Sequence, residues 1–197
     1  MTTTIIFDLS EVYLHGLLGI EKHLFLKHKL SIKNEELQTE ELEKLFHGEI
    51  TEDEFWRAMK EKFQWRISLQ QLKSAIRDNF TQIEGTRAII ETLKQNGYKL
   101  GLLSVHAKEW IDHCEKKFDY HKFFDSIIYS FEFAICKPER RAYELMLEKL
   151  EVRAQDCIFI DDSKRNLKAA ELLKIKTVQF HNADQLKKDL RLFEIKL

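Results

Sequence analysis

Short apolar runs alternating with stretches of helical periodicity constrain this chain more than any other feature. Residues 3–7 (TTIIF) lead into Asp8, residues 98–104 (YKLGLLS) end on Ser104, and residues 157–160 (CIFI) lead into Asp161 and Asp162. Residues 126–129 and 177–180 supply two further runs. Each is short and apolar, and the first is dominated by β-branched residues, as expected of buried strands. Between them, apolar residues recur at helical spacing over residues 86–95, 106–117, 139–150, 166–173 and 184–192. Asn96-Gly97 closes the first of these helices and Pro138 precedes the third. Strands alternating with helices predict an α/β fold with a doubly wound parallel, Rossmann-like sheet.

One region breaks the alternation. Between His15 and Phe80 the apolar positions keep helical spacing and no strand is evident. Leu37, Leu42, Leu45 and Phe46 form one stripe, Phe55, Met59 and Phe63 a second, and Leu69, Leu72 and Ile76 a third. Thr51 with Glu54 reads as a capping box opening the second helix, after Gly48 ends the one before. We therefore expect residues 1–14 and 83–197 to form the α/β core, with residues 15–82 inserted as an α-helical cap of four helices. The cap would lie over one end of the sheet, hinged near residues 11–16 and 81–86.

Composition narrows the function classes. The 32 Lys and Arg nearly balance the 33 Asp and Glu, so nothing draws the whole chain toward nucleic acid or an anionic membrane. Asp8 and Glu11 interrupt the apolar N-terminal stretch and no basic residue precedes it, unlike a signal peptide. With no run near the ~20 apolar residues of a membrane span, a cytoplasmic location is expected. Cys114, Cys136 and Cys157 lie far apart without a CxxC pair, so neither a zinc ribbon nor a thioredoxin-like site is expected, and the eight histidines contain no HExxH, which argues against a histidine metal site.

In an open parallel sheet, ligands bind at the carboxyl ends of the strands. Asp8, Ser104 and the Asp161-Asp162 pair each follow a strand and should face one crevice. Asp8 and Asp162 would be like charges in close approach, unstable alone and stabilised by a hard divalent cation such as Mg²⁺. Capping of the following helix accounts for Ser163 but needs fewer acids than the two before it. Lys137 supplies a cation just before a helix, although an ordinary surface lysine would read the same way.

These motifs together resemble the haloacid dehalogenase (HAD) superfamily, subclass I, with a helical cap after the first strand. FDLSEV is similar to the first motif of that family and EGTRAIIETLKQNGYKLGLLS to the stretch leading to the second. KPERRAYELML is similar to the third, and FIDDSKRNLKAAELLKIKTVQF to the fourth, with a frequent Asn on Asn166. The resemblance implies a phosphatase-type hydrolase of a small phosphorylated metabolite. Asp8 would attack phosphorus and form an aspartyl-phosphate. Mg²⁺ would be held by Asp8, the Ser10 carbonyl and Asp162, with Asp161 orienting that shell. Ser104, Val105 and Lys137 would bind phosphoryl oxygens.

The sequence departs from the family pattern where an Asp usually stands two residues after the nucleophile to protonate the leaving group. Here the residue is Ser10. Glu11 follows, but adjacent side chains in an extended loop point apart. Val105, Ala134 and Lys174 are smaller departures from the usual Asn, Gly and Gly. Two alternatives follow. One is a catalytically impaired relative acting by binding, which turnover of an activated aryl phosphate would exclude. The other is a metal-free haloacid dehalogenase, which the Asp161-Asp162 pair disfavours. For substrate contact from the cap, Tyr13, His15, Phe46 and Trp56 are candidates, though core packing accounts for most of them.

Overall fold

The computed structural model describes residues 3–197; Met1 and Thr2, assigned above to the core unit, lie outside the described residues. Five parallel strands form one sheet in the order β3-β2-β1-β4-β5, with β1 Thr4–Phe7, β2 Lys99–Ser104, β3 Ser126–Tyr129, β4 Cys157–Asp161 and β5 Lys176–Gln179. The expected doubly wound α/β class is what the chain adopts. Order reverses between β1 and β4, so the crevice at the carboxyl ends of these two neighbours is the topological switch point.

Alternation along β1 sets the two faces. Ile5 and Phe7 point to one side, where they pack with Leu100, Leu102, Ile158 and Ile160. Ile6 points to the other, with Leu103, Ile128 and Phe159. Helices α6 Thr86–Gln95, α7 Lys108–Phe118 and α11 Ala183–Leu192 bury their apolar sides on the first face, through residues such as Ile90, Trp110 and Leu186. After the short helix α8 Ser130–Phe133, helices α9 Arg140–Leu150 and α10 Lys164–Leu172 cover the second face through Tyr143, Met146, Leu167 and Ala170. A parallel sheet needs both faces covered, and it is. Helix α7 starts later, and α10 earlier, than periodicity indicated: a tertiary hydrogen bond holds the turn after β2, and the Asp161 carboxylate accepts from the Ser163 N–H at the start of α10. The first of these bonds runs from His106 N–H to Ser130 Oγ at 3.1 Å.

Between β1 and α6 the chain forms five helices: α1 Ile20–His28, α2 Asn34–Leu37, α3 Glu40–Phe46, α4 Glu52–Phe63 and α5 Leu69–Asn79. Four were expected. The stripe from Leu37 to Phe46 divides in two because Thr39 Oγ1 accepts from Leu42 N–H and starts a new helix. The Thr51–Glu54 capping box forms as read, with Glu54 accepting from Thr51 N–H at 2.7 Å. The apolar side chains of this block are continuous with those on the first sheet face, so the two share one core. The chain leaves and re-enters the sheet region along paired segments: His15 N–H donates to Thr81 O and Ile83 N–H to Tyr13 O, both at 2.9 Å. Among the described residues, no helix is long and apolar enough to cross a membrane.

Candidate active site

The carboxyl ends of β1 and β4 bring three aspartates together. Asp8 N–H donates to Ile160 O at 2.9 Å, which ties the residue after β1 to β4. Carboxylate oxygens of Asp8, Asp161 and Asp162 lie within 4.8 Å of one another. Lys137 is the cation among them: its Nζ stands 2.8 Å from Asp8 Oδ2 and 2.6 Å from Asp161 Oδ2, and its side chain is 2% exposed. The surface-lysine reading of Lys137 is therefore wrong. Chain topology explains the burial, because the loop before α9 passes over the ends of β1 and β4 and the ammonium also lies 5.3 Å from the Phe159 ring centre.

Electrostatics in this cluster follow from burial. Loss of water pushes the Asp8 carboxyl up from 3.8 to about 7, against the pull of Lys137 and with Asp161 adding to the rise. Asp162 is also raised, by burial first and then by Asp161. Burial works against the charge on Lys137, but Asp161 and Asp8 outweigh it and hold the ammonium above its usual range. Four carboxylates (Glu11 included) thus share a region with one ammonium. That excess of hard oxygen donors fits a divalent cation of the Mg²⁺ type.

The remaining residues named from sequence divide. Asp161 is fully buried and accepts from Ser163 N–H at 2.8 Å and from Asn166 Nδ2 at 3.1 Å. Asp161, not the Ser163 hydroxyl, satisfies the start of α10; Ser163 occupies the cap position without a side-chain cap bond. Ser104 ends β2 and is 1% exposed, and its hydroxyl oxygen is buried with no hydrogen-bond partner. Val105, the next residue, lines the cavity. Ser10 and Glu11 both line it.

Glu11 does not point away as an extended loop would require. Its φ of 56° turns the chain, and its carboxylate accepts from Gly16 N–H at 2.8 Å and contacts His15 Nδ1 at 3.0 Å. A β-carbon on Gly16 would come within 2.8 Å of Ser10 Oγ, so the backbone passes Ser10 closely at this turn.

The cluster forms the floor of a cavity of about 270 Å³. Its other walls come mainly from the helical block: Leu37 of α2, Leu42 and Phe46 of α3, and Leu17 and Leu18 before α1. Trp110 of α7 and His106 complete it. Of the four cap candidates, only Phe46 reaches the cavity. Tyr13 is buried against Tyr120 and accepts from Gln82, Trp56 is buried in the core, and His15 pairs with Glu11. His106 and Trp110 were missed. Burial lowers the His106 imidazole to about 4, and nothing in the local sequence separates it from other histidines. Trp110 read only as part of an amphipathic stripe.

A parallel sheet with acids at its switch point and a lysine clamped between two of them defines an α/β hydrolase of the HAD type. The chain belongs to the haloacid dehalogenase-like hydrolase family, whose family model it matches over residues 5–180. Among individual proteins, it is 29% identical over 129 residues to flavin mononucleotide hydrolase 1 of Arabidopsis thaliana, covering 63% of this chain and 50% of that one. It is 26% identical over 142 residues to the phosphorylated carbohydrates phosphatase of Thermotoga maritima, covering 68% and 65%. The aligned part thus spans half to two thirds of these relatives. In fold it is similar to a HAD-family enzyme of Bacteroides thetaiotaomicron solved with magnesium, with a TM-score of 0.80, 22% identity and coverage of 96% of this chain and 98% of that one. The same enzyme has been solved with magnesium and inorganic phosphate, with a TM-score of 0.74, 22% identity and coverage of 92% and 96%.

Proposed function

We propose that this protein is a Mg²⁺-dependent phosphatase of small phosphorylated metabolites, with Asp8 as nucleophile and residues 15–82 as a cap over the site. The observation that carries this reading is Lys137 Nζ held between Asp8 and Asp161 at the switch point. Two magnesium complexes of a relative of the same fold support the choice of metal, and the phosphatase names of two sequence relatives support the reaction.

Asp8, Asp162 and the Ser10 carbonyl would hold the ion, with Asp161 orienting them. Mg²⁺, when bound, offsets the negative charge of the phosphoryl oxygens and of the carboxylates. An Asp8 carboxylate oxygen forms a bond to phosphorus as the ester P–O bond breaks, and the departing alkoxide takes its proton from solvent, because Ser10 has no acid to give. Water then attacks the aspartyl-phosphate, releasing inorganic phosphate and restoring Asp8. Lys137 favours the ionised form of Asp8, holds it in place and balances charge as phosphorus is attacked. The unpartnered Ser104 hydroxyl and the backbone N–H of Val105 would donate to phosphoryl oxygens. His106, neutral through burial, adds no charge.

Asp8→Asn tests the assignment, because an amide oxygen is too weak a nucleophile. Turnover of 4-nitrophenyl phosphate with Mg²⁺ should vanish in Asp8→Asn while the melting temperature stays near or above that of the native protein. Rapid acid quench of the native enzyme should trap phosphate on the protein. Turnover retained by Asp8→Asn would rule out the nucleophile. Ser10 favours a second reading, an impaired relative that binds a phosphorylated ligand without turnover; absence of turnover in the native protein would select it.

A further inference from the structure

The two halves of the cavity differ in chemistry. All its charged side chains among the described residues are at the floor: Asp8, Glu11, Asp162 and Lys137. Lys137 is already paired with two carboxylates. Opposite them, Leu37, Leu42, Phe46 and Trp110 present apolar surface, with Leu37, Leu42 and Trp110 almost fully buried. The only polar side chains contributed by the helical block are the amides of Asn34 and Gln38. His106 stays neutral, so it does not add a cation.

This asymmetry bears on the group that leaves, not the group that is transferred. A carboxylate or second phosphate on the leaving alcohol would find no cation in the upper half and would lie near Glu11 and Asp162. Burying such a charge unpaired is costly. A polyol would set several hydroxyls against leucine and aromatic side chains, with two amides to receive them. An apolar body would instead displace water from Leu18 and Phe46, among the more exposed apolar side chains of the lining, and pack against the edges of Leu42 and Trp110. The cavity volume of about 270 Å³ falls just below the ~300–1,000 Å³ of sites for drug-sized ligands, so the body must be compact.

We propose that the substrate is a phosphate monoester of a compact, uncharged, largely apolar alcohol, whose body rests on Phe46 and Trp110 with its one or two polar groups toward Asn34 and Gln38. This rests on the phosphatase reading above and specifies its substrate class. It excludes sugar bisphosphates, nucleotides and phosphorylated acids as preferred substrates.

The test compares benzyl phosphate, glycerol 1-phosphate and phosphoglycolate in the presence of Mg²⁺, with 4-nitrophenyl phosphate as an activated control. Hydrophobic pockets discriminate by ~10–200-fold per methylene-sized difference. Benzyl phosphate should therefore exceed glycerol 1-phosphate in kcat/KM by at least ~10-fold, and phosphoglycolate should be poorest. Gln38→Lys should raise kcat/KM for phosphoglycolate and lower it for benzyl phosphate. Equal or better turnover of glycerol 1-phosphate or phosphoglycolate by the native enzyme would overturn the substrate class while leaving the phosphatase reading intact. If even 4-nitrophenyl phosphate is not hydrolysed, the phosphatase reading fails, and calorimetric binding with Mg²⁺ decides the pocket on its own. Benzylphosphonate should then bind more tightly than phosphonoacetate, and the reverse order would overturn the proposal.

Discussion

The Trp110 indole N–H donates to Glu52 Oε1 at 2.9 Å, joining a wall of the cavity to the first residue of α4. Glu52 is fully buried. Its carboxylate also accepts from Trp56 Nε1 at 3.2 Å and is gripped by both terminal nitrogens of Arg77 on α5. The Glu52 N–H in turn donates to Glu109 of α7 at 3.2 Å. The helical block is thus fastened to the sheet unit by buried side-chain bonds as well as by its two connecting segments. A cap hinged only at those segments would have to break this network to open.

Glu52→Ala should be strongly destabilising. It removes one partner of a buried ion pair, a change worth roughly 3–5 kcal/mol, and leaves two indole donors and a guanidinium unsatisfied. For a chain of this size, each kcal/mol corresponds to about 2–4 °C, so the melting temperature should fall by about 6–20 °C. The fluorescence of Trp56 and Trp110 should change with it. A melting temperature within about 2 °C of the native value would mean that the carboxylate does not fasten the block.

Mg²⁺ should stabilise the protein, and more so as pH rises. Asp8 is raised from 3.8 to about 7 in the folded, metal-free protein, so over that interval the folded state holds a proton that the unfolded chain has released. The stabilisation this supplies is complete below about pH 4 and is lost as pH rises through about 7. Metal binding needs the ionised carboxylates. The rise in melting temperature caused by millimolar Mg²⁺, measured against a chelator control, should therefore be larger near pH 8 than near pH 5. An effect that is absent or independent of pH would argue against Asp8 and Asp162 as ligands.

Ser10→Asp should accelerate turnover if Ser10 is the defect that limits proton transfer. General acid–base catalysis is worth ~10²–10⁴-fold. The close passage of Gly16 past Ser10 leaves little room on one side, so a smaller gain of at least ~10-fold is expected. The gain should be larger for benzyl phosphate, a poor leaving group, than for 4-nitrophenyl phosphate. Ser10→Ala should change little. A large loss in Ser10→Ala would give the serine hydroxyl a role of its own.

The α/β class, the strands and most helices were legible in the sequence because each rests on local physics: β-branched runs, helical periodicity, the Thr51–Glu54 cap and the Asn96-Gly97 stop. The polar ends of β1, β2 and β4 were legible for the same reason, since a parallel sheet brings its carboxyl ends to one edge. Glu11 was misjudged because its direction depends on a left-handed backbone angle held by Gly16 and His15. Lys137 could be named but its burial could not, because that comes from a loop crossing the ends of two strands distant in sequence. His106, Trp110 and the network around Glu52 were decided by tertiary structure alone. A residue on an amphipathic stripe shows by periodicity that it is buried, but not whether it packs against the core, lines the cavity or joins two units. That depends on which helix the fold places opposite it.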